Sequence, residues 1–336
     1  MRSSTSPPTV RDVAARAGVS PGTVSKALNG TGQLSEATRS RVTAAAEELG
    51  FRPNHLAKSL LAGRTYTVGI LTTDSFGRFT TPVMVGIEDA LGAGRMSTLL
   101  CDGRGDPLRE RHYVQELLNR RVDGLVVTGR RPDPRPSLGP LPIPVVYVLV
   151  QSDDPADLSI TYDDVQGARL GAQHLLAGGR KRFAYVSGPP RHWSTQRRGE
   201  GLRQELASAG LDLHPDLVLL GQWSEAWGRT AADQLLRRHE RVDAVVCGSD
   251  QVARGVVDGL REGGATVPDQ VAVVGFDNWD VMVEAARPRL TTVDPNLTTL
   301  GRVAASRLMS AIDGAELGHG VLLQPCDLVL RQSSFR

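Results

Sequence analysis

Cysteine, aromatic residues and long apolar runs are all scarce in this 336-residue chain. Its three cysteines, Cys101, Cys247 and Cys326, are far apart and form no Cys-x-x-Cys pair, so we expect buried thiols rather than disulfides or a metal centre. No apolar run approaches the ~20 residues of a membrane helix, and the Ser/Thr/Pro-rich N-terminus lacks the apolar core of a secretory signal. We therefore expect a cytoplasmic protein that does not associate with a membrane.

The motifs of common enzymes are also missing. The sequence contains no nucleophile elbow, no Walker loop and no His-Glu-x-x-His pattern, so we predict neither catalysis nor a bound cofactor. At roughly 100–200 residues per domain, the length corresponds to two or three folded units. Because aromatics make up only 4% of the chain, valine, leucine and alanine must fill most of the cores.

Charge is distributed unevenly along the chain. Residues 1–65 carry nine basic and four acidic side chains, whereas the remainder carries 30 basic and 33 acidic ones. A basic segment ahead of a slightly acidic body favours a polyanionic partner for that segment. A solvated N-terminal arm would show the same excess, so charge alone does not decide between the two.

Two short helices joined by a tight turn are predicted near the N-terminus. Thr9 can cap the first, and Gly18 can end it in a left-handed conformation. Ser20 and Pro21 suit the start of a second helix, because serine is a good N-cap and proline fits the first turn. This spacing is typical of a helix-turn-helix. A third helix, from Ser35 to near residue 50, completes a small domain over residues 9–52 behind a flexible arm of residues 1–8.

The second helix is the candidate for contact with nucleic acid. In a helix-turn-helix its N-terminal residues point into the major groove. Lys26 can donate to guanine acceptors, and short side chains allow close approach to the bases. A surface corner between two helices without any DNA role would have the same spacing. The candidate DNA contacts are Ser20, Pro21, Gly22, Thr23, Ser25 and Lys26.

The body, residues 66–336, alternates apolar strands with amphipathic helices. Strands are predicted at residues 67–72, 98–101, 124–127 and 144–148, and the rhythm restarts at Asp164 with strands at 183–186, 217–220, 244–247 and 271–276. This pattern indicates an α/β fold with parallel, doubly wound sheets in two lobes. A final helix at 299–312 and one final strand near 321–329 are expected.

Polar residues follow the predicted strands of the body. Ligands of open parallel sheets bind beyond the carboxyl ends of the strands. Carboxylates and arginine there can hold hydroxyl groups, and tryptophan can stack on a sugar ring. Capping of the following helices is the alternative for the aspartates, and position alone favours it. The candidate ligand-binding residues are Asp74, Arg198, Trp223, Ser249, Asp250 and Asp277.

Three stretches of the first 65 residues, 9–14, 18–29 and 53–60, closely resemble the LacI/GalR family of transcriptional regulators. Residues 271–277 and 290–293 are similar to the family's C-terminal signatures. The resemblance implies a sequence-specific DNA-binding protein whose body resembles a two-lobed periplasmic binding protein. It also implies a homodimer on a palindromic operator, controlled by a small-molecule effector that is sugar-like. A repressor is expected; an activator or, less well supported, a solute-binding receptor are the alternatives.

The resemblance also assigns roles to particular residues. Residues 53–65 match the hinge helix, which pairs with its dimer mate in the minor groove. Leu60 matches the leucine wedged between base pairs, and Asn29, Asn54 and Lys58 match further DNA-contacting positions. Asp277 and Arg198 match effector ligands, and Trp223 matches a stacking tryptophan.

Departures from the family and the expected lobe boundaries complete the prediction. Many relatives have other residues at the positions of Lys26, Gly22, Leu149 and Ser249. The operator sequence and the effector of a relative therefore cannot be assigned to this protein. The family's chain crosses between lobes three times. It predicts an N-lobe of about residues 66–161 and 295–321, and a C-lobe of about 164–291 and 322–336.

Overall fold

A computed structural model describes residues 8–28, 32–51, 64–75, 77–92, 96–238 and 241–335. The chain divides into two compact units, Met1–Thr65 and Tyr66–Arg336, called the head and the body below. Among the described helices, none combines the length and the apolar character needed to span a bilayer.

The head contains the three predicted helices, α1 (Val10–Ala17), α2 (Pro21–Leu28) and α3 (Glu36–Glu48). Asp12 accepts hydrogen bonds at 2.7 Å from both the backbone N–H and the hydroxyl of Thr9, which fixes the start of α1. Gly18 ends α1 with φ of 66°, a conformation that glycine adopts without steric cost. The hydroxyl groups of Ser20 and Ser35 each accept a hydrogen bond from the backbone N–H of the residue three positions later, as N-caps do.

The core of the head is small and consists mainly of alanine and valine. Val13, Val24 and Val42 are fully buried at its centre, one from each helix. Alanines of all three helices complete the cluster. Because so little apolar area is available, packing of this domain contributes only modestly to stability.

The first sheet of the body forms the N-lobe, and all its strands are parallel. Its strand order is β13-β7-β5-β3-β1-β2. Helices α4 (Thr80–Leu91), α5 (Pro107–Asn119) and α11 (Leu297–Ile312) pack around it. Its strands are β1 (Thr67–Thr72), β2 (Ser97–Asp102), β3 (Gly124–Thr128), β5 (Val145–Val148), β7 (Leu158–Tyr162) and β13 (Gly320–Gln324). The short β4 (Pro134–Arg135) and β6 (Gln151–Ser152) pair separately.

The second sheet forms the C-lobe, with strand order β14-β12-β11-β10-β8-β9 and only β14 antiparallel. Its strands are β8 (Phe183–Ser187), β9 (Val218–Leu220), β10 (Ala244–Cys247), β11 (Ala272–Phe276), β12 (Thr291–Asp294) and β14 (Asp327–Val329). The C-lobe helices are α6 (Asp164–Ala177), α7 (Trp193–Ser208), α8 (Glu225–Leu236), α9 (Asp250–Glu262) and α10 (Asp280–Val283), with a 3-10 turn at Pro215–Leu217.

The chain crosses between the lobes three times, and the last crossing corrects the sequence prediction. The single strand expected near residues 321–329 is two strands on different sheets, because β13 pairs with β7 and β14 pairs with β12. The expected lobe boundary at 321/322 would cut through β13. The change of lobe instead falls at Pro325 and Cys326, where proline cannot donate to either ladder.

Candidate functional site

The candidate DNA-reading residues lie on the outer side of α2. Ser20, Pro21, Gly22, Ser25 and Lys26 are exposed, and Thr23 is partly buried. The opposite side of the helix is buried in the head core through Val24 and Ala27. The remaining candidates, Asn29, Asn54, Lys58 and Leu60, and nearly all of the hinge segment lie outside the described residues.

Ser20 also has a structural task. Its hydroxyl accepts the backbone N–H of Thr23 at 3.1 Å and lies 2.9 Å from the Thr23 hydroxyl. Both hydroxyls are therefore held in fixed positions at the N-terminus of α2. A helix N-terminus with ordered hydroxyl groups is suited to phosphate contact.

A cavity of about 540 Å³, including space open to solvent, lies between the two lobes of the body. It is bounded by loops that follow β1, β3, β8, β10 and β11, where parallel-sheet proteins bind ligands. The cavity is lined by Arg78, Phe79, Arg130, Arg131, Tyr162, Ser194, Arg198, Trp223, Gly248, Ser249, Gln251 and Asp277.

Arg198 is buried at the C-lobe side of the cavity, with only 4% of its side chain exposed. Its guanidinium donates to Asp164 at 2.6 Å, to Tyr162 at 3.2 Å and to the Gly248 carbonyl. The Phe276 ring lies 3.5 Å from it in a cation–π contact. Burial opposes the charge of Arg198, but Asp164, Tyr162 and Asp277 together outweigh that effect and raise the pKa of Arg198, so it stays charged.

Asp277 joins the two lobes. Its carboxylate accepts a hydrogen bond from Arg78 of the N-lobe at 2.5 Å, and Arg198 lies 3.6 Å away. Arg78 is also stacked over Trp279 of the C-lobe, 4.1 Å from the ring centre. Burial raises the pKa of Asp277, and the two arginines act in the opposite direction. The ion pair is therefore a contact that a ligand in the cleft would have to join or replace.

Trp223 lines the cavity in a fixed orientation. Its indole N–H donates to Nδ1 of His192 at 2.7 Å, and the two ring planes differ by only 14°. Gly188 packs against the ring, because a Cβ there would lie 2.1 Å from an indole carbon. An indole held at its edge and on one side is suited to stacking on a ligand ring.

Two predicted ligand residues lie behind the cavity wall instead of on it. Asp74 accepts the backbone N–H groups of Phe79 and Thr80 at 2.8 and 3.1 Å and so caps α4. Asp250 is fully buried and accepts from the backbone of Trp279 at 2.7 Å and from Thr292 at 2.5 Å. Capping and loop fixation, the alternative that position favoured, account for both carboxylates. Ser249 caps α9 and also lines the cavity.

Several residues of the cavity wall were not predicted from the sequence. Arg78 follows β1, and Arg130 and Arg131 follow β3, so the same rule of strand ends that selected the aspartates would have found them. Leu149, one of the departures from the family, does not line the cavity. It is fully buried in the N-lobe core with φ of 70°, and its N–H donates to the Ile160 carbonyl at 3.0 Å.

A helix-turn-helix head and a two-lobed body with a polar cleft define the class of ligand-responsive DNA-binding regulators. Residues 9–54 match the family described as bacterial regulatory proteins, lacI family, and residues 172–334 match the periplasmic binding protein-like domain. The chain belongs to the lacI family of transcriptional regulators.

Relatives match the chain over nearly its full length. The HTH-type transcriptional regulator CelR of Thermobifida fusca is 34% identical, covering 97% of this chain and 98% of its own. A solved CelR–cellobiose complex is 30% identical, with a TM-score of 0.67 over 97% of this chain and 100% of that one. The lac repressor dimer bound to operator and the anti-inducer ONPF is 27% identical, with a TM-score of 0.75 over 98% of this chain and 100% of that one.

Proposed function

We propose that this regulator acts in the cytoplasm as a homodimeric repressor, which binds a palindromic operator under the control of a small molecule in the interlobe cleft. The exposed start of α2 carries the DNA part of the proposal. The solved relatives support the rest, because one is an operator-bound dimer and another contains cellobiose. In this chain the cleft between the lobes is the equivalent candidate for a sugar-like effector.

Contacts between the lobes support control by a ligand. Arg78 reaches Asp277 across the cleft, and the backbone N–H of Trp193 donates to Asp133 of the N-lobe at 2.8 Å. A molecule bound between the lobes changes the balance of these contacts and thus the preferred angle between the lobes. A coupling of about 1–3 kcal/mol between cleft and DNA corresponds to roughly 5–150-fold regulation. Residues 53–65, with Leu60 as the wedge, would transmit this change to DNA.

Selection of binding sites from a random DNA pool tests the DNA function. We expect a palindrome, and we expect Lys26→Ala to alter base preference at one position of each half-site, with a loss of about 1–3 kcal/mol there. Lys181→Ala, an exposed lysine of the body, is the matched control and should select the wild-type site. If no palindrome is enriched, the proposed function is wrong. If Lys26→Ala keeps the wild-type preference, only the role of Lys26 is wrong.

A further inference from the structure

The wall of the cleft is rich in arginine and poor in carboxylates. Four arginines line the cavity, and Asp277 is the single carboxylate among the described lining residues. Both oxygens of Asp277 already face arginines, Oδ2 at 2.5 Å from Arg78 and Oδ1 at 3.6 Å from Arg198. Recognition of a neutral polyol depends on acceptors for its hydroxyl protons as well as on donors. This wall is better matched to a group that only accepts.

The carboxylates that pair with Arg198 and Arg131 lie outside the lining of the cavity. Asp164 binds Arg198, and Asp133 binds Arg131 at 2.5 Å, but neither carboxylate lines the cavity. A ligand in the cleft therefore meets guanidinium groups first.

Arg130 is the least satisfied of the four arginines. Its nearest carboxylate oxygen among the described residues is Oδ1 of Asp74, at 3.9 Å, beyond hydrogen-bond distance. That buried oxygen itself has no hydrogen-bond partner in the described part of the chain. Half of the Arg130 side chain, 52%, is exposed, compared with 1% of Asp74. The guanidinium of Arg130 is thus free to donate to a ligand. The nearby carboxylate of Asp74 attracts this guanidinium and holds it close to the cavity wall.

The arginine-rich surface continues beyond the cleft. Arg130 and Arg131 also line a neighbouring cavity of the N-lobe, together with Arg104 and Arg135. Arg135 is neutralised by Glu110 at 2.6 Å, whereas Arg104 is largely exposed, and its carboxylate partner Asp102 lies 3.8 Å away. This neighbouring cavity is lined by four arginines and two carboxylates, Glu110 and Asp133, so the N-lobe side of the cleft has an excess of positive charge.

We infer that the effector is an anionic carbohydrate, whose phosphate or carboxylate group binds Arg130 and Arg131 while its ring stacks on Trp223. Guanidinium groups bind phosphate and carboxylate through paired, charge-assisted hydrogen bonds, which a neutral hydroxyl cannot replace. An anion held by the N-lobe arginines and a ring held by the C-lobe tryptophan connect the two lobes. This inference rests on the proposed role of the cleft as the effector site.

Inorganic phosphate tests the anion site directly. At equal ionic strength, replacing chloride by phosphate should raise the melting temperature of the full-length protein by roughly 3 °C or more. The double variant Arg130→Gln/Arg131→Gln should lose this shift, while its melting temperature in chloride stays near that of the wild type. The double variant Arg237→Gln/Arg302→Gln also removes two positive charges, from arginines that are 77% and 49% exposed, and should keep the shift. If phosphate has no effect, or if its effect survives in the double variant, the inference is wrong.

Titration with glucose, glucose 6-phosphate and glucuronate then shows which anionic group of the ligand is recognised. Tryptophan fluorescence measures the binding. We expect at least one of the two anions to bind about tenfold or more tightly than glucose, and Arg130→Gln to remove that preference. The derivative that binds better shows whether a phosphoryl or a carboxylate group is recognised. Glucose binding as tightly as both anions would overturn the inference.

These titrations contain no DNA, so their outcome is independent of the operator selection. A protein that selects a palindrome but ignores phosphate would contradict only the anionic effector. A protein that binds phosphate through Arg130 but selects no palindrome would contradict only the proposed DNA function.

Discussion

A neutral histidine holds the tryptophan of the cleft. The indole N–H of Trp223 can only donate, so Nδ1 of His192 must be an unprotonated acceptor. The pKa of His192 is lowered from its ordinary value of 6.5, first by burial and then by the nearby Arg131 and Arg191, which together outweigh Asp133. The neutral ring therefore predominates above pH 6.5 and persists to somewhat lower pH. Only further acidification protonates Nδ1 and removes the acceptor.

We predict a pH dependence of Trp223 fluorescence that follows this histidine. The emission should change as the pH falls through a midpoint below 6.5, because protonated His192 repels the indole N–H. His192→Gln, which can accept the same bond but does not titrate, should abolish the transition. Trp223→Phe should abolish it as well, which separates Trp223 from the other three tryptophans. A midpoint above 6.5, or a transition that remains in His192→Gln, would contradict the assignment.

The aspartates at the strand ends show why the sequence could not separate caps from ligands. Asp74, Asp250 and Asp277 each follow a buried strand. Asp74 and Asp250 are almost completely buried, and the side chain of Asp277 is 6% exposed. Asp74 and Asp250 accept backbone N–H groups, whereas Asp277 accepts from the side chain of Arg78 in the other lobe. That distinction depends on a residue 199 positions away in sequence, so no local pattern contains it.

At the scale of elements, close contact between α4 and α11 holds the N-lobe together. Gly86 of α4 and Gly301 of α11 lie at the crossing of the two helices. A Cβ on Gly86 would lie 1.9 Å from the backbone oxygen of Thr298, and one on Gly301 would lie 2.1 Å from that of Val83. Backbone atoms cannot move aside as a flexible side chain can, so both positions require glycine.

We predict that Gly301→Ala destabilises the body by about 1–3 kcal/mol, because the added methyl group forces the two helices apart. Urea unfolding followed by circular dichroism measures the free energy of unfolding. Ser306→Ala, at an exposed position of the same helix, is the control and should change it by less than about 0.5 kcal/mol. If Gly301→Ala is as stable as the wild type, α4 and α11 can move apart at little cost and the prediction is wrong.

The elements that the sequence predicted are those with strong local signals. The head helices have caps at Ser20 and Ser35 and a left-handed glycine at position 18, and the structure confirms all three. Strand β7, Leu158–Tyr162, was not predicted, because its serine and threonine resemble a surface strand although all five residues are buried. Strands β13 and β14 were predicted as one strand, since only their pairing with different sheets separates them.

For the whole molecule, the interlobe contacts decide how a ligand could act. The Arg78–Asp277 ion pair and the bond from Trp193 to Asp133 both join the N-lobe to the C-lobe. Both involve residues at the cavity or next to it, since Arg78 and Asp277 line it and Asp133 pairs with Arg131 of its wall. A ligand that binds these arginines therefore changes the same contacts that set the angle between the lobes.

We predict that Asp277→Asn removes the effect of the small molecule on operator binding. Without the carboxylate, Arg78 and Arg198 lose the charge that joins the lobes, so the coupling of about 1–3 kcal/mol disappears. Operator affinity with and without the ligand identified by screening measures the effect. Asp280→Asn, an exposed aspartate three residues on, should respond like the wild type. A normal response in Asp277→Asn would restrict Asp277 to a structural role.

The sequence by itself determined the family, the three-helix head, the alternation of strands and helices in the body, and the polar residues at strand ends. These features depend on caps, glycine positions and apolar periodicity, which act over a few residues. Only the tertiary structure decided that Asp74 and Asp250 support the wall, that four arginines line it and that Asp277 joins the lobes. Such contacts form between residues far apart in sequence, and long-range packing, not local preference, fixes which side of a carboxylate or guanidinium faces the cleft.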